Sequence, residues 1–269
     1  MIKVGGSLGD DMSRACADIA ALVGQGSSVV VVHGGGAESD RVARELGRPP
    51  RYLTARDGRR SRYTDAAALD ALTLGMLGRV KPPLVVELLR LGVRAVGLSG
   101  VDGGLVTARR TPPARVVLDG EPRVVRDDLS GRITSVDPHL VRTLLAGGYT
   151  PVVSPPALDP EVGPLNVDAD RFAARLAVAL DADWLIVLSN VPGLLRDPDD
   201  PSSLVAEVPC DDLTAHLELA GGRMKVKLRS AGEARLAGVP HVVLADGRGP
   251  SPVLAARAGT GTTFVGGAA

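Results

Sequence analysis

Short apolar runs alternate along this chain with stretches whose apolar residues recur at helical spacing. Residues 29–32, 95–98, 151–153, 185–188 and 241–244 are dominated by aliphatic side chains, as expected of strands buried on both faces. Residues 12–23, 38–46, 65–76, 84–91, 138–146, 169–180 and 225–237 carry the 3.6-residue pattern of helices. This alternation predicts an α/β three-layer sandwich with a mainly parallel central sheet. Residues 105–133 differ, being short strand-like pieces broken at Asp119-Gly120 and Ser130-Gly131. Asp119-Gly120 lies between Val116-Val117 and Val124-Val125, a strong hairpin signal, so a β-hairpin insertion is expected there. The proline-rich residues 154–164 read as a long loop leading into Asn166. A boundary there divides the chain into lobes 1–165 and 166–269.

Two glycine clusters close apolar segments near the start. The first segment ends in Lys3-Val4-Gly5-Gly6, and Val29-Val30-Val31-Val32 is followed by His33-Gly34-Gly35-Gly36-Ala37. Glycines let backbone N–H groups close around an anionic oxygen, and a helix N-terminus behind them adds positive potential. Two such turns about thirty residues apart fit a strand–helix–strand unit with both turns at one sheet edge. A phosphate site is the first expectation. Neither G-x-x-x-x-G-K-[ST] nor G-x-G-x-x-G occurs, which excludes the P-loop and the dinucleotide fingerprint.

Composition narrows the classes further. The 31 basic and 31 acidic residues cancel, so no global field draws the protein to nucleic acid or an anionic membrane. The two cysteines, Cys16 and Cys210, have no metal-type spacing and suit a reducing cytoplasm. Met1 leads directly into the first apolar segment without a signal peptide, and no apolar run approaches the ~20 residues of a membrane span. A cytoplasmic location is expected.

Several side chains are placed for chemistry. Lys3, directly before the first glycine pair, would reach a phosphate held by that turn. His33 at the strand end reads as a structural hydrogen-bonder. Arg62 stands just before Thr64 or Asp65, either of which caps the next helix, and its fork suits a substrate carboxylate. Asn166 or Asp168 caps the helix after the long loop, with Asp170 in its first turn. Ser189-Asn190-Val191-Pro192-Gly193-Leu194-Leu195 and Asp197-Pro198 form a strand-end turn suited to a nucleotide. Gly222-Arg223-Met224-Lys225-Val226-Lys227 puts cations at a helix start, where the dipole disfavours them, and so points to a nearby polyanion.

As an ordered set spanning essentially the whole chain, these motifs resemble the amino acid kinase family, whose best-known member is N-acetylglutamate kinase. The resemblance implies the amino acid kinase fold. It also implies that Lys3, Gly5 and Gly6 meet the transferring phosphoryl group, with Gly34 and Gly35 lining its site through backbone N–H. Arg62, Asn166 and Gly36 would bind the acceptor, and Asp170 would organise the catalytic lysines Lys3 and Lys227. Ser189, Asn190, Gly193, Leu194, Asp197 and Met224 would bind ATP. Arg48-Pro49-Pro50-Arg51-Tyr52-Leu53-Thr54, Ser61-Arg62-Tyr63-Thr64-Asp65, Gly97-Leu98-Ser99-Gly100-Val101-Asp102-Gly103 and Gly222-Arg223-Met224 are closer to one branch. That branch acts on 2-aminoadipate or glutamate tethered to a small acidic amino-group carrier protein, in lysine or arginine synthesis. Lys81-Pro82-Pro83 departs from the Asn-Lys usual in the family.

The chemistry so implied is attack of an ionised carboxylate on the γ-phosphorus of ATP, giving an acyl phosphate and ADP. It needs charge stabilisation rather than a base. Mg²⁺ would arrive on the nucleotide phosphates, with no metal site built from protein side chains. Arg56, Arg59, Arg109 and Arg110, among other arginines of the basic loop and hairpin, would dock the carrier, unless nearby Asp119, Glu121, Asp127 and Asp128 balance them as ordinary solvated surface. A homodimer without arginine feedback is expected on the same resemblance. Two alternatives stand beside it: a kinase of free N-acetyl-L-glutamate, and a catalytically silent amino-acid-binding subunit.

Overall fold

The first strand, β1 (Ile2–Val4), sorts its side chains as a sheet covered on both faces requires. Ile2 and Val4 join an apolar cluster with Ile19, Leu22, Leu84, Leu88 and Val253. Lys3, between them, faces the opposite layer, where it meets Asp170. β2 (Val31–His33) repeats the alternation: Val31 enters the first cluster and Val32 the second.

The computed structural model describes residues 1–5, 12–55 and 60–266. The strands that follow are β3 (Tyr52–Thr54), β4 (Arg60–Arg62), β5 (Ala95–Ser99), β6 (Val106–Arg110), β7 (Ala114–Leu118), β8 (Glu121–Val125) and β9 (Gly131–Val136). The later ones are β10 (Thr150–Ser154), β11 (Ala157–Asp159), β12 (Gly163–Leu165), β13 (Trp184–Ser189), β14 (Glu207–Pro209), β15 (His241–Asp246) and β16 (Thr262–Val265). The helices are α1 (Met12–Gly24), α2 (Gly36–Glu45), α3 (Ala66–Thr73), α4 (Lys81–Arg90), α5 (His139–Ala146), α6 (Ala169–Ala179), α7 (Leu213–Leu219), α8 (Gly222–Leu236) and α9 (Pro252–Arg257).

The eight-stranded central sheet runs β14-β16-β15-β13-β1-β2-β10-β5. Only the β15–β16 pair is antiparallel. Helices α1, α4 and α9 cover one face; α5, α6 and α8 cover the other, around Phe172, Leu176, Leu185 and Leu228. The expected parallel sandwich is therefore present, and its geometry fixes the site. The carboxyl ends of β1, β2, β10 and β13 all emerge on one rim, so Gly5, the Gly34–Gly36 turn and the Ser189 turn are brought together.

Several details differ from expectation. The loop expected over 154–164 folds as the β11–β12 hairpin, because Gly163 (φ 101°) turns the chain back so that Ala157 pairs with Leu165. The Asp119-Gly120 hairpin forms with both residues at positive φ, the turn whose twist suits a hairpin. However, β7 and β8 join β3 and β4 in one small sheet while β6 and β9 join β11 and β12 in another, so the inserted region is split over two sheets. Residues 66–90 follow one helical path, where two separate helices are expected: a π-helix, Leu74–Val80, links α3 to α4. Pro82 and Pro83 fall in the first turn of α4, where a missing N–H costs least. The wide turn packs tightly on α2: a Cβ added at Gly75 would lie 2.7 Å from Ser39 Cα.

Lys81 heads α4 and is only 8% exposed. Its stem lies against Gly97, and its ammonium donates to the Leu98 carbonyl on the edge strand β5. Burial, opposed by Asp102, pulls this group from 10.5 down to about 8. The unfolded chain therefore holds the extra proton between pH 8 and 10.5, and stability rises with pH across that window. The stability of the wild type relative to Lys81→Met, from denaturant unfolding, is expected to rise by about 3 kcal/mol between pH 7 and 10.5. A difference independent of pH would contradict the buried charge.

Candidate active site

Asp170 stands in the first turn of α6, whose N-cap is Asp168. The Asp168 carboxylate accepts from the N–H groups of Asp170 (2.9 Å) and Arg171 (3.0 Å). Asp168, rather than Asn166, is thus the cap, and it fixes the backbone that aims Asp170 at the sheet. The Asp170 carboxylate accepts from Lys3 Nζ at 2.7 Å and from Lys227 Nζ at 2.9 and 3.1 Å. The cluster is out of solvent, Lys3 being 4% and Asp170 7% exposed.

Asp170 bridges the two ammonium groups, and the capping Asp168 carboxylate acts on both lysines as a second, more distant counter-charge. Burial opposes the Asp170 charge, but the two lysines outweigh it and hold the carboxyl at about 2. Burial opposes the Lys3 charge as well, yet the contact with Asp170 keeps that ammonium above its ordinary range. At Lys227 burial and the Lys3 charge prevail over Asp170 and pull the group below its ordinary range. The cluster suits an incoming anion that would add negative charge beside Lys227.

The glycine turn lies at the adjacent strand end. Gly34 N–H reaches the Val4 carbonyl at 3.4 Å, and α2 begins with Gly35 as an N-cap that offers no side chain to the first-turn N–H groups. A Cβ at Gly35 would lie 2.5 Å from Met76 Cγ and 3.3 Å from its Cα, so the π-helix leaves room for glycine only. His33 is fully buried. Its Nδ1–H donates to the Gly34 carbonyl at 2.8 Å, and burial lowers its pKa to about 4, so it holds the turn as a neutral ring.

Arg62, ending β4, donates to the Gly36 carbonyl at 3.3 Å and is ion-paired with Asp40 of α2. Asn166 donates from Nδ2 to Thr64 Oγ1 at 3.0 Å, joining the same wall. Gly5 sits at the end of β1. Gly6, Arg56 and Arg59 lie outside the described residues. Arg109 pairs with Glu161 at 2.8 Å, and Arg110 donates to the carbonyls of Asp128 and Arg126, so both are engaged within their own region.

In the Ser189 turn, Asn190 and Asp197 are exposed, and Met224 at the start of α8 is half-buried against the core. The Leu194 side chain is in the core, 1% exposed, so it shapes the turn from within. Thr262 on β16, which sequence reasoning passes over, is what holds this turn. Its buried hydroxyl accepts from Leu194 N–H at 2.8 Å and donates to the Val205 carbonyl at 2.7 Å. A Cβ at Gly193 would lie 2.4 Å from that hydroxyl. Asp40 is equally silent in sequence, one acid on a helix surface. Among the described residues no group of three or more His, Cys, Asp or Glu side chains is placed to hold a metal. No described helix is long and apolar enough to cross a membrane.

Asp170→Asn removes the counter-charge of two buried lysines. It is expected to cost about 3–5 kcal/mol at pH 7 by equilibrium unfolding. Because the folded carboxyl lies at about 2 against an ordinary 3.8, its stabilisation is complete above pH 4 and is lost as pH falls towards 2. The wild type and Asp170→Asn should accordingly converge by about 2 kcal/mol over that interval. A constant difference would contradict the ion pairing.

Comparison with known proteins agrees with this geometry. The model of the amino acid kinase family matches residues 1–246. A LysW-aminoadipate kinase of Deinococcus radiodurans is 45% identical over 262 residues, 97% of this chain and 90% of that protein. A LysW-aminoadipate kinase of Thermus thermophilus is 42% identical over 264 residues, 97% of this chain and 98% of that protein. An acetylglutamate kinase of Myxococcus xanthus is 39% identical over 262 residues, 94% of this chain and 83% of that protein. Among solved structures, N-acetylglutamate synthase from Neisseria gonorrhoeae, complexed with coenzyme A and N-acetyl-glutamate, matches with a TM-score of 0.79 at 26% identity. That match covers 100% of this chain and 59% of the synthase chain. With the rim of glycine turns, the buried lysine pair and the family match over most of its length, the chain belongs to the amino acid kinase family.

Proposed function

We propose that this protein is an ATP-dependent kinase that phosphorylates the side-chain carboxylate of a carrier-protein-linked 2-aminoadipate, or of a glutamate-like amino acid, to an acyl phosphate. The observation that carries the reaction type is the buried Lys3–Asp170–Lys227 cluster beside the uncapped start of α2. The acceptor follows from the two LysW-aminoadipate kinases, which exceed the acetylglutamate kinase in identity by a few per cent. Free N-acetyl-L-glutamate is the second reading, favoured by that same relative.

In this reading the acceptor carboxylate, already ionised at neutral pH, attacks the γ-phosphorus and ADP leaves. Lys3 and Lys227 neutralise the equatorial oxygens, and the N–H groups of Gly35 and of Gly34, the latter in exchange for its long 3.4 Å bond to the Val4 carbonyl, complete the cradle with Gly5 and Gly6. Asp170 keeps both ammonium groups in place. Arg62, Asn166 and Gly36 hold the acceptor, largely within residues 1–165. Ser189, Asn190, Gly193, Leu194, Asp197 and Met224 hold ATP, within residues 166–269. Mg²⁺ would arrive with the nucleotide phosphates, without a cage of protein side chains, and would supply further charge neutralisation. A small acidic carrier protein is the partner, with Arg56, Arg59, Arg109 and Arg110 as its docking cations, of which Arg109 and Arg110 are also engaged within their own region. The exposed Leu74, Val86, Leu89 and Leu91 along residues 74–91 suit a homodimer contact.

ADP release with MgATP, with product trapped as the hydroxamate, tests this. Carrier-linked aminoadipate, carrier-linked glutamate and free N-acetylglutamate are compared. Turnover confined to a carrier-linked acceptor is expected; turnover with free N-acetylglutamate alone would replace it with the second reading. Lys3→Arg and Lys227→Arg should each lower kcat by about 10²–10³, since a planar fork does not replace a compact charge. Near wild-type kcat in either variant would overturn the assignment of the lysines.

A further inference from the structure

Helix α8 begins in a way its own sequence does not favour. Its first turn has no side-chain cap and no acidic residue, yet Arg223, Lys225 and Lys227 all fall near its start, where the dipole disfavours cations. Arg223 and Lys227 are four residues apart and share one face, where like charges repel. Lys227 is compensated by Asp170. Arg223 is not: its exposed guanidinium makes no hydrogen bond or ion pair with a described residue.

That guanidinium crosses to the glycine turn. A Cβ built on Gly36 would lie 3.8 Å from both Nη1 and Nη2 of Arg223, so the fork lies over the bare face of this glycine. Arg62 reaches the same residue from α2's other neighbour, β4, through the Gly36 carbonyl at 3.3 Å. Arg62 is compensated by Asp40. Two guanidinium groups, one from each half of the chain, therefore meet at Gly36, and only one has a counter-charge.

We infer that Arg223 is an acceptor-binding residue whose fork, with that of Arg62, holds an anionic carboxylate over Gly36. The inference rests on the phosphoryl-transfer reading above and names a contact that reading lacks. Four residues of α8 separate Arg223 from Lys227, about 6 Å along the helix axis. This is the scale that separates the two carboxylates of a dicarboxylic amino acid, one at the transferring phosphoryl group and one at Gly36. A bound carboxylate also relieves the repulsion between Arg223 and Lys227. The planar fork allows a bidentate contact that an ammonium does not.

Steady-state kinetics of the full chain with MgATP and whichever acceptor turns over test this. Arg223→Ala is expected to raise the acceptor KM about 10- to 100-fold while the ATP KM stays within about twofold. Arg223→Lys should stay closer to Arg223→Ala than to the wild type, and the melting temperature of both should not fall. An unchanged acceptor KM, or a rise in ATP KM without one in acceptor KM, would overturn the inference. Calorimetric binding of carrier-linked aminoadipate and of N-acetylglutamate to wild type and Arg223→Ala separates this contact from the catalytic reading. Weaker binding to the variant supports the contact even without turnover, and equal affinities reject it.

Discussion

One carboxylate placed between two buried ammonium groups is the constraint on which this site depends. Without Asp170, Lys3 and Lys227 would face each other out of water, a cost far larger than most single contacts repay. With it, each ammonium is held within 3 Å of the same carboxylate, and Asp168 at the head of α6 adds a second negative charge acting on both. The fold is arranged around supplying those three groups from three elements: Lys3 from the central strand β1, Asp170 from α6 and Lys227 from α8. β1 lies between β2 and β13, where the halves of the sheet meet. The residue on its α6–α8 face is therefore central to both.

The surroundings follow the same logic. The α2 N-terminus is left uncapped by Gly35, and the π-helix packs against that glycine through Met76. The start of α8 is likewise uncapped and carries cations. These are unfavourable choices for an isolated helix. They become consistent when an anion lies between the two helix starts, as expected where local rules are broken for function. Thr262 plays the structural counterpart at the Ser189 turn, binding Leu194 N–H and the Val205 carbonyl with a single hydroxyl.

Much of this was legible in sequence because it was local. A lysine before glycines at a strand end, an acid in a helix first turn and lysines at another helix start each leave a mark in a few consecutive residues. The parallel sheet was legible for the same reason, since strands buried on both faces are short aliphatic runs. What was hidden depends on residues far apart in the chain. Asp40 as partner of Arg62, and Glu161 as partner of Arg109, follow from packing that spacing does not reveal. The π-helix was hidden because eight to ten residues of helical periodicity do not register one widened turn. The β11–β12 hairpin was hidden because prolines and the acids Asp159 and Glu161, the former buried, mask two strands of three residues each.

The lysine pair and the start of α2 are proposed to form one cradle for a transferring phosphoryl group. A crystal structure with Mg²⁺ and a non-hydrolysable ATP analogue tests it most directly. Terminal phosphate oxygens are expected within about 3 Å of Lys3 Nζ, Lys227 Nζ and the glycine-turn N–H groups, with Asp170 still bridging the lysines. A nucleotide whose phosphates lie away from both ammonium groups would contradict it.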